Sequence, residues 1–209
     1  MYIPEHFKEK DPAEIEQLIR EHGFATLVSA KNQWPVASHI PLELIIKDSG
    51  EWILSGHVSK ANPQWKDFEN DPHVLAIFMG PHAYVSPSWY NHKNVPTWNY
   101  MAVHVYGKVM ILEGEQLKTS LGKMMARYEH LHAGQPMKME DIPAQILEKD
   151  LNGVVAFEIK IDRIEAAGKL SQNRDVESYQ SVIDHLKTSE AYDSKRVAEE
   201  MEKRKKAAI

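Results

Sequence analysis

Apolar residues along this chain recur with two periods. Between Pro12 and His22, Ile15, Leu18 and Ile19 share one helical face, Asp11 stands at the cap, Pro12 takes the first turn and Gly23 ends the run. That pattern predicts a helix. Phe24–Ser29, Val36–Ile46 and Glu51–Ser55 then read as strands joined by polar turns at Lys31-Asn-Gln33 and Asp48-Ser-Gly50, an antiparallel meander. A short helix is expected over Pro63–Asn70 and a near-continuous apolar strand over Val74–Met79. Tyr84–Ser86 and Met101–Leu112 continue the sheet, the latter alternating at Val103, Val105 and Val109, with Gly107 a candidate bulge.

The second half is more helical. Leu117, Leu121, Met124, Met125 and Tyr128 lie at helical spacing within Glu115–His130, which assigns the methionines to packing. Pro143–Asp150 predicts another short helix, Val154–Ile161 the last strand, and Asp175–Thr188 and Ser194–Lys205 two terminal helices. The order implies an α+β fold, one antiparallel barrel with helices packed against it.

Composition narrows the function. A chain of 209 residues can bury a real core, and the absence of cysteine removes disulfides, thiolate zinc sites and cysteine nucleophiles. No apolar run approaches the roughly 20 residues that cross a bilayer. The first ten residues carry charge where a signal peptide is apolar, so a cytoplasmic location is expected. A net charge of −5 argues against a broadly basic nucleic-acid surface. The cations Lys187, Lys195, Arg196, Lys203, Arg204, Lys205 and Lys206 of the terminal helices are interleaved with acids. No His-Glu-x-x-His pattern and no other metal-ligand spacing occurs, so no metal is expected. There is no Gly-x-Ser-x-Gly elbow either, and no catalytic residue is assigned.

Four segments carry candidate chemistry. In Gly56-His-Val-Ser-Lys-Ala-Asn-Pro63 an apolar strand runs into a turn with His57, Ser59 and Lys60 just before a helix. A hydroxyl, an ammonium, an imidazole and free helix N–H groups there suit a phosphate, although an ordinary strand-to-helix connection with a serine cap has the same signature. Val36-Ala-Ser-His-Ile-Pro41 places His39 mid-strand and Pro41 where only an edge or bulge accepts it, leaving backbone near Ser38 and Ile40 for a ligand or simply an edge. The aromatic segments Tyr84–Tyr90 and Val95–Tyr100 suit a planar heteroaromatic ligand or a subunit interface. Gly168–Arg174 offers two cations, a hydroxyl and two amides in a turn after the last strand, able to grip an anion or a flavin-type ring edge.

Together, Met1-Tyr-Ile-Pro-Glu-His-Phe7, Ala37-Ser-His-Ile-Pro41, Gly56-His-Val-Ser-Lys-Ala-Asn-Pro-Gln-Trp65, Tyr84-Val-Ser-Pro-Ser-Trp-Tyr90, Val95-Pro-Thr-Trp-Asn-Tyr100 and Lys169-Leu-Ser-Gln-Asn-Arg174 resemble the PaiB-type "FMN-binding negative transcriptional regulator" family over nearly the whole length. The resemblance implies a split β-barrel of the pyridoxamine-phosphate-oxidase type with peripheral and C-terminal helices. It divides the chain into a barrel domain, 1–165, and a C-terminal turn with helices, 166–209. It implies a homodimer with FMN at the subunit interface, and repression of sporulation and of degradative-enzyme production, including proteases. Residue by residue, Ser59 and Lys60 match the turn that holds the FMN phosphate, with His57 beside them. Backbone of Ser38, His39 and Ile40 would follow the isoalloxazine edge, and Trp98, Asn99, Lys169 and Gln172 would complete the site.

Fold alone does not fix chemistry. Three readings are open: a flavin-dependent regulator acting on DNA or through a regulatory protein; a flavin oxidoreductase on a small metabolite or deazaflavin with indirect regulatory effect; and a haem-binding split barrel.

Overall fold

The computed structural model describes residues 1–31, 34–132 and 134–207, so the predicted turn at Asn32 and Gln33 lies outside the described residues. Helix α1 (Pro12–Glu21) leads into β1 (Phe24–Lys31), β2 (Trp34–Ile46) and β3 (Trp52–Ser59). A 3-10 turn at Pro63–Lys66 and the single-turn α2 (Asp67–Asn70) precede β4 (His73–Val85) and β5 (Thr97–Leu112). Then come α3 (Gly114–His132), α4 (Ala144–Asn152), β6 (Val154–Lys169), α5 (Val176–Thr188) and α6 (Ser194–Ala207). The six strands close a barrel in the order β1-β2-β3-β6-β5-β4. This is the expected α+β split barrel.

Several strands outrun their sequence signal. β4 is continuous across Gly80 and Pro81, joining segments that read as two strands. β5 begins at Thr97, inside the stretch read as an aromatic loop, and β6 continues through the polar run Lys160–Glu165 to Lys169. Each of these strands has hydrogen-bonded neighbours in the closed barrel, and pairing can hold a strand extended where the side-chain pattern has faded.

The chain divides into two units. One comprises Ile19–Phe78 and Val105–Ile164. Its core includes Leu27, Leu42, Leu54, Phe78, Phe157 and Ile159, all under 2% exposed. Each such side chain stabilises the fold by about 1.5–3 kcal/mol through burial. Helix α3 lies against β3, where Ser55 Oγ and Ser120 Oγ are 2.8 Å apart. Buried Glu43 on β2 faces Arg127 of α3, with Nε 3.7 Å from its Oε1. Burial raises the Glu43 carboxyl pKa, and Arg127 and Arg20 pull it partly back. At Gly107 a Cβ would run into the backbone carbonyl of Lys160, so β5 can approach β6 this closely only through glycine.

The other unit comprises Met1–Leu18, Met79–His104 and Glu165–Ile209. Asp175 caps α5 by accepting from Ser178 N at 2.9 Å. Val182, Ile183 and Leu186 of α5 and Val197, Ala198 and Met201 of α6 are fully buried, and Tyr179 OH donates to Met201 O at 2.8 Å. Arg204 of α6 reaches Glu9 at 2.6 Å.

Candidate functional site

The register of β2 opens the first cluster. Its ladder with β3 runs from Ile46↔Trp52 to Leu42↔Gly56 and stops there. Beyond that point β2 stays with β1 as far as Lys31↔Trp34, while β3 stays with β6 through His57↔Ala156, Val58↔Val155 and Ser59↔Val154. The two strands part, which is the split of the barrel. Gly56 sits at the parting, where a Cβ would stand 2.5 Å from Leu42 Cδ2 and 3.2 Å from Pro41 O.

Alternation then sorts the side chains. Leu42, Leu54 and Val58 fill the interior, and Ile40 joins them at 9% exposure. The odd-numbered positions His39, Pro41, Ser55, His57 and Ser59 take the opposite face. His39 Nδ1 lies 3.0 Å from Thr26 Oγ1 of β1. His57 is half-buried, its Nδ1 is sealed from solvent with no hydrogen-bond partner, and burial pushes its pKa down, so the ring is neutral at pH 7. Ser59 and Lys60 are exposed, and among the described residues no carboxylate pairs with the Lys60 ammonium.

Two features of this segment differ from the expected strand, turn and helix. His57 and Ser59 belong to β3, and only Lys60 begins the turn, because β6 pairs with the strand to its end. The helix terminus also offers no anion site. Asn62 Oδ1 already accepts from Gln64 N at 3.0 Å, and the helical segment after it is only a four-residue 3-10 turn and one α-turn. The cap is Asn62, and Ser59 Oγ instead accepts from Ala61 N at 3.3 Å. Attraction for an anion therefore rests on Ser59, Lys60 and the neutral His57 ring.

Asn62 and Gln64, to which the sequence assigns no ligand role, tie the turn to β1 and β2. Asn62 Nδ2 donates to Ser38 Oγ at 2.8 Å, tying the turn to β2 across the parting. Gln64, fully buried, donates from Nε2 to Leu27 O and Ser29 Oγ at 3.1 Å each and to Val36 O at 3.3 Å. The Asn-Pro pair at 62–63 is a legible cap signal. Nothing local marks Gln64.

The remaining candidates lie in the other unit. Asn99 is fully buried: its Oδ1 accepts from Ser171 Oγ at 3.0 Å and its Nδ2 meets Met201 Sδ at 3.5 Å. Gln172 donates to Gly168 O at 2.6 Å and His6 O at 3.1 Å and accepts from Leu170 N at 2.7 Å. Lys169 Nζ donates to Thr97 Oγ1, and burial followed by the charge of Arg174 lowers its pKa. These three side chains knit the turn after β6, in which Ser171 adopts φ +61°. Trp98, 53% exposed, lines a separate cleft of that unit with Tyr84 and Asp193.

Three cations of the basic stretch are paired with acids. Lys187 pairs with Glu202 and Lys203 with Glu200, both at 2.6 Å, and Arg204 with Glu9. The side chains of Lys205 and Lys206 lie outside the described residues. Among the described residues no three His, Asp or Glu converge as metal ligands, and no helix is long and apolar enough to cross a membrane.

Known proteins supply the line of descent. The family model described as "Putative FMN-binding domain" matches residues 1–163. The "Protease synthase and sporulation protein PAI 2" of Bacillus subtilis (strain 168) is 43% identical over 209 residues, covering 100% of both chains. Among solved structures, the FAD and heme binding protein from Mycobacterium smegmatis superposes with TM-score 0.62 at 15% identity, covering 83% of this chain and 78% of that one. The conserved hypothetical protein Rv2991 from Mycobacterium tuberculosis gives 0.59 at 16% identity, covering 84% and 94%. At such identities the two structures speak for the barrel alone, whereas the family match and the full-length relative carry descent. The chain belongs to the PaiB-type family of flavin-binding split-barrel proteins.

Proposed function

We propose that this protein binds FMN where β2 and β3 part and, through that cofactor, acts as a negative regulator of sporulation and protease production. The observation that carries the reading is the end of β3. An exposed hydroxyl (Ser59) and an ammonium that among the described residues has no carboxylate partner (Lys60) stand just after a buried imidazole nitrogen that has no hydrogen-bond partner among them either (His57). That donor set fits a phosphate monoester, whose charge Lys60 would meet and whose oxygens Ser59 would hydrogen-bond. Backbone of Ser38–Ile40, free of any ladder with β3, would border the isoalloxazine, and His39, held by Thr26, would stand beside it. Bound FMN would supply reversible one- and two-electron chemistry, while the chain itself binds and orients it. The proposed site is confined to these residues: the polar groups of Asn99, Lys169 and Gln172 are engaged by Ser171, Thr97 and Gly168, and Trp98, which the resemblance also gives to the flavin, lines a separate cleft.

The outward positions of β1 and β4 support a homodimer. Phe24 is 71% exposed, and Val28 and Thr26 stand opposite Leu75 and Ile77 on the same sheet face, an apolar surface suited to a second copy. Pairing of terminal-helix cations with acids favours a protein partner over direct DNA contact. The regulatory claim is tested in a Bacillus subtilis strain lacking the PAI 2 protein. Wild-type chain should lower extracellular protease output and delay sporulation, and Lys60→Ala at equal abundance should do neither. Full activity of Lys60→Ala would detach regulation from the flavin.

A further inference from the structure

The aromatic residues that the flavin reading leaves aside enclose a second site. Within the unit that holds the terminal helices, His82 and Tyr84 of β4, Trp89, Trp98 of β5, and Tyr192 and Asp193 from the α5–α6 connection line a cleft of about 460 Å³. This volume is within the range of small-molecule pockets. Tyr84 meets Trp98 edge-to-face with ring centroids 6.0 Å apart, and His82 lies 6.1 Å from the same indole. Trp89 is held by stacking on His185 at 5.0 Å. Trp98 remains 53% and Tyr192 88% exposed, an arrangement in which large rings stay open to solvent. Beside them is one charge: the Asp193 carboxylate, 22% exposed, whose one partner among the described residues is His82 Nδ1 at 3.4 Å.

From this juxtaposition we infer that the cleft binds a small alkylated ammonium compound. Aromatic faces attract a cation through their quadrupoles, and the adjoining carboxylate adds direct charge complementarity. A primary ammonium needs three acceptors arranged around it, and beyond the Asp193 carboxylate and the tyrosine hydroxyls the side chains of the cleft add few: the Ser189 hydroxyl already accepts from Ala191 N at 3.2 Å, and Ser194 is buried. A quaternary or heavily methylated ammonium needs none and matches rings better than oxygens do. The site is independent of the flavin proposal, sharing none of the residues placed there.

The test uses choline and its uncharged carbon isostere 3,3-dimethylbutan-1-ol as probes, titrated into the full chain by calorimetry and tryptophan fluorescence. Choline should bind saturably and roughly tenfold or more tighter than the isostere. Asp193→Asn should erase most of that preference, and Trp98→Ala should abolish binding while Trp98→Phe retains part of it. Circular dichroism melts identify any variant that fails to fold, and Asp193→Asn, conservative and near the surface, decides the matter if Trp98→Ala does. Equal affinity for the two probes, no saturable choline binding, or unchanged affinity in Asp193→Asn would overturn the inference. So would FMN displacing choline competitively, which would give the rings to the flavin, or a drop in sedimenting mass on Trp98→Ala, which would give them to self-association.

Discussion

Gly56→Ala probes the place where the fold creates the site. The added methyl would sit 2.5 Å from Leu42 Cδ2, 3.2 Å from Pro41 O and 3.4 Å from Phe157 Cζ. Carbon–carbon contact is comfortable at about 3.5–4.0 Å, so the Leu42 side chain must retreat by roughly 1 Å. Leu42 is 1% exposed, so it must find that room among buried neighbours. Overpacking of this kind costs about 1–3 kcal/mol, offset by about 0.4–1 kcal/mol from the stiffer unfolded chain. The net destabilisation lies between about 0 and 2.6 kcal/mol, with a midpoint of about 1.3 kcal/mol. With about 2.1 cal/mol/K of unfolding entropy per residue, the 209 residues give about 0.44 kcal/mol/K, and the melting temperature should fall by about 3 °C at the midpoint and about 6 °C at most. A double-mutant cycle in urea sharpens the test. Leu42→Ala alone opens a cavity costing about 2–5 kcal/mol, and the new methyl partly fills it in the double variant. The two changes should therefore be less than additive by about 1 kcal/mol. Because His57–Lys60 comes directly after, FMN affinity should drop as well. A single variant as stable as wild type, with a strictly additive cycle, would show that Leu42 and Gly56 are not in tight contact at the parting.

Three further outcomes are expected. Lys60→Ala should weaken FMN by about 1.5–3 kcal/mol, measured by fluorescence titration, and leave riboflavin unchanged. Gly107→Ala should cost about 3 kcal/mol or more, read from chemical denaturation, because the obstacle is the backbone of Lys160 rather than a movable side chain. His57 gives a pH signature: burial depresses its folded-state pKa below the usual value of about 6.5, so the unfolded chain takes up the proton first. Its contribution is present above about pH 6.5 and is lost as pH falls through the depressed folded value. His57→Asn should flatten that part of the stability profile in urea titrations between about pH 7 and 5.

The barrel is legible because β1 and β5 largely alternate and the turn between β2 and β3 carries Asp48 and Gly50. Strand lengths are not. Lys160–Glu165 looks like a connection by polarity, yet β6 runs through it because the ladder, not the local pattern, holds it extended. Ser59 and Lys60 stand out in the sequence as a hydroxyl and an ammonium after an apolar strand, a signature shared with an ordinary serine cap, and the structure gives that cap to Asn62 instead. The expected anion site at the helix terminus is missing for a local reason, since one Asn side chain satisfies the N–H group that an anion would need. Asn99 shows the opposite limit. An amide between Trp98 and Tyr100 resembles a ligand contact, and only burial against Met201 and Ser171 turns it into packing. Nor could sequence bring Asp193 beside Trp98, 95 positions away, because that proximity is made entirely by tertiary structure.

Everything proposed for regulation depends on the end of β3 holding the phosphate of a flavin mononucleotide. Parallel fluorescence titrations of the purified apo-protein with FMN and with riboflavin isolate that contact, since the two ligands share the ring system and differ by the phosphate. FMN should bind saturably, with riboflavin weaker by roughly tenfold or more. Equal affinity for the two, or binding of neither, would contradict a phosphate site at Ser59 and Lys60.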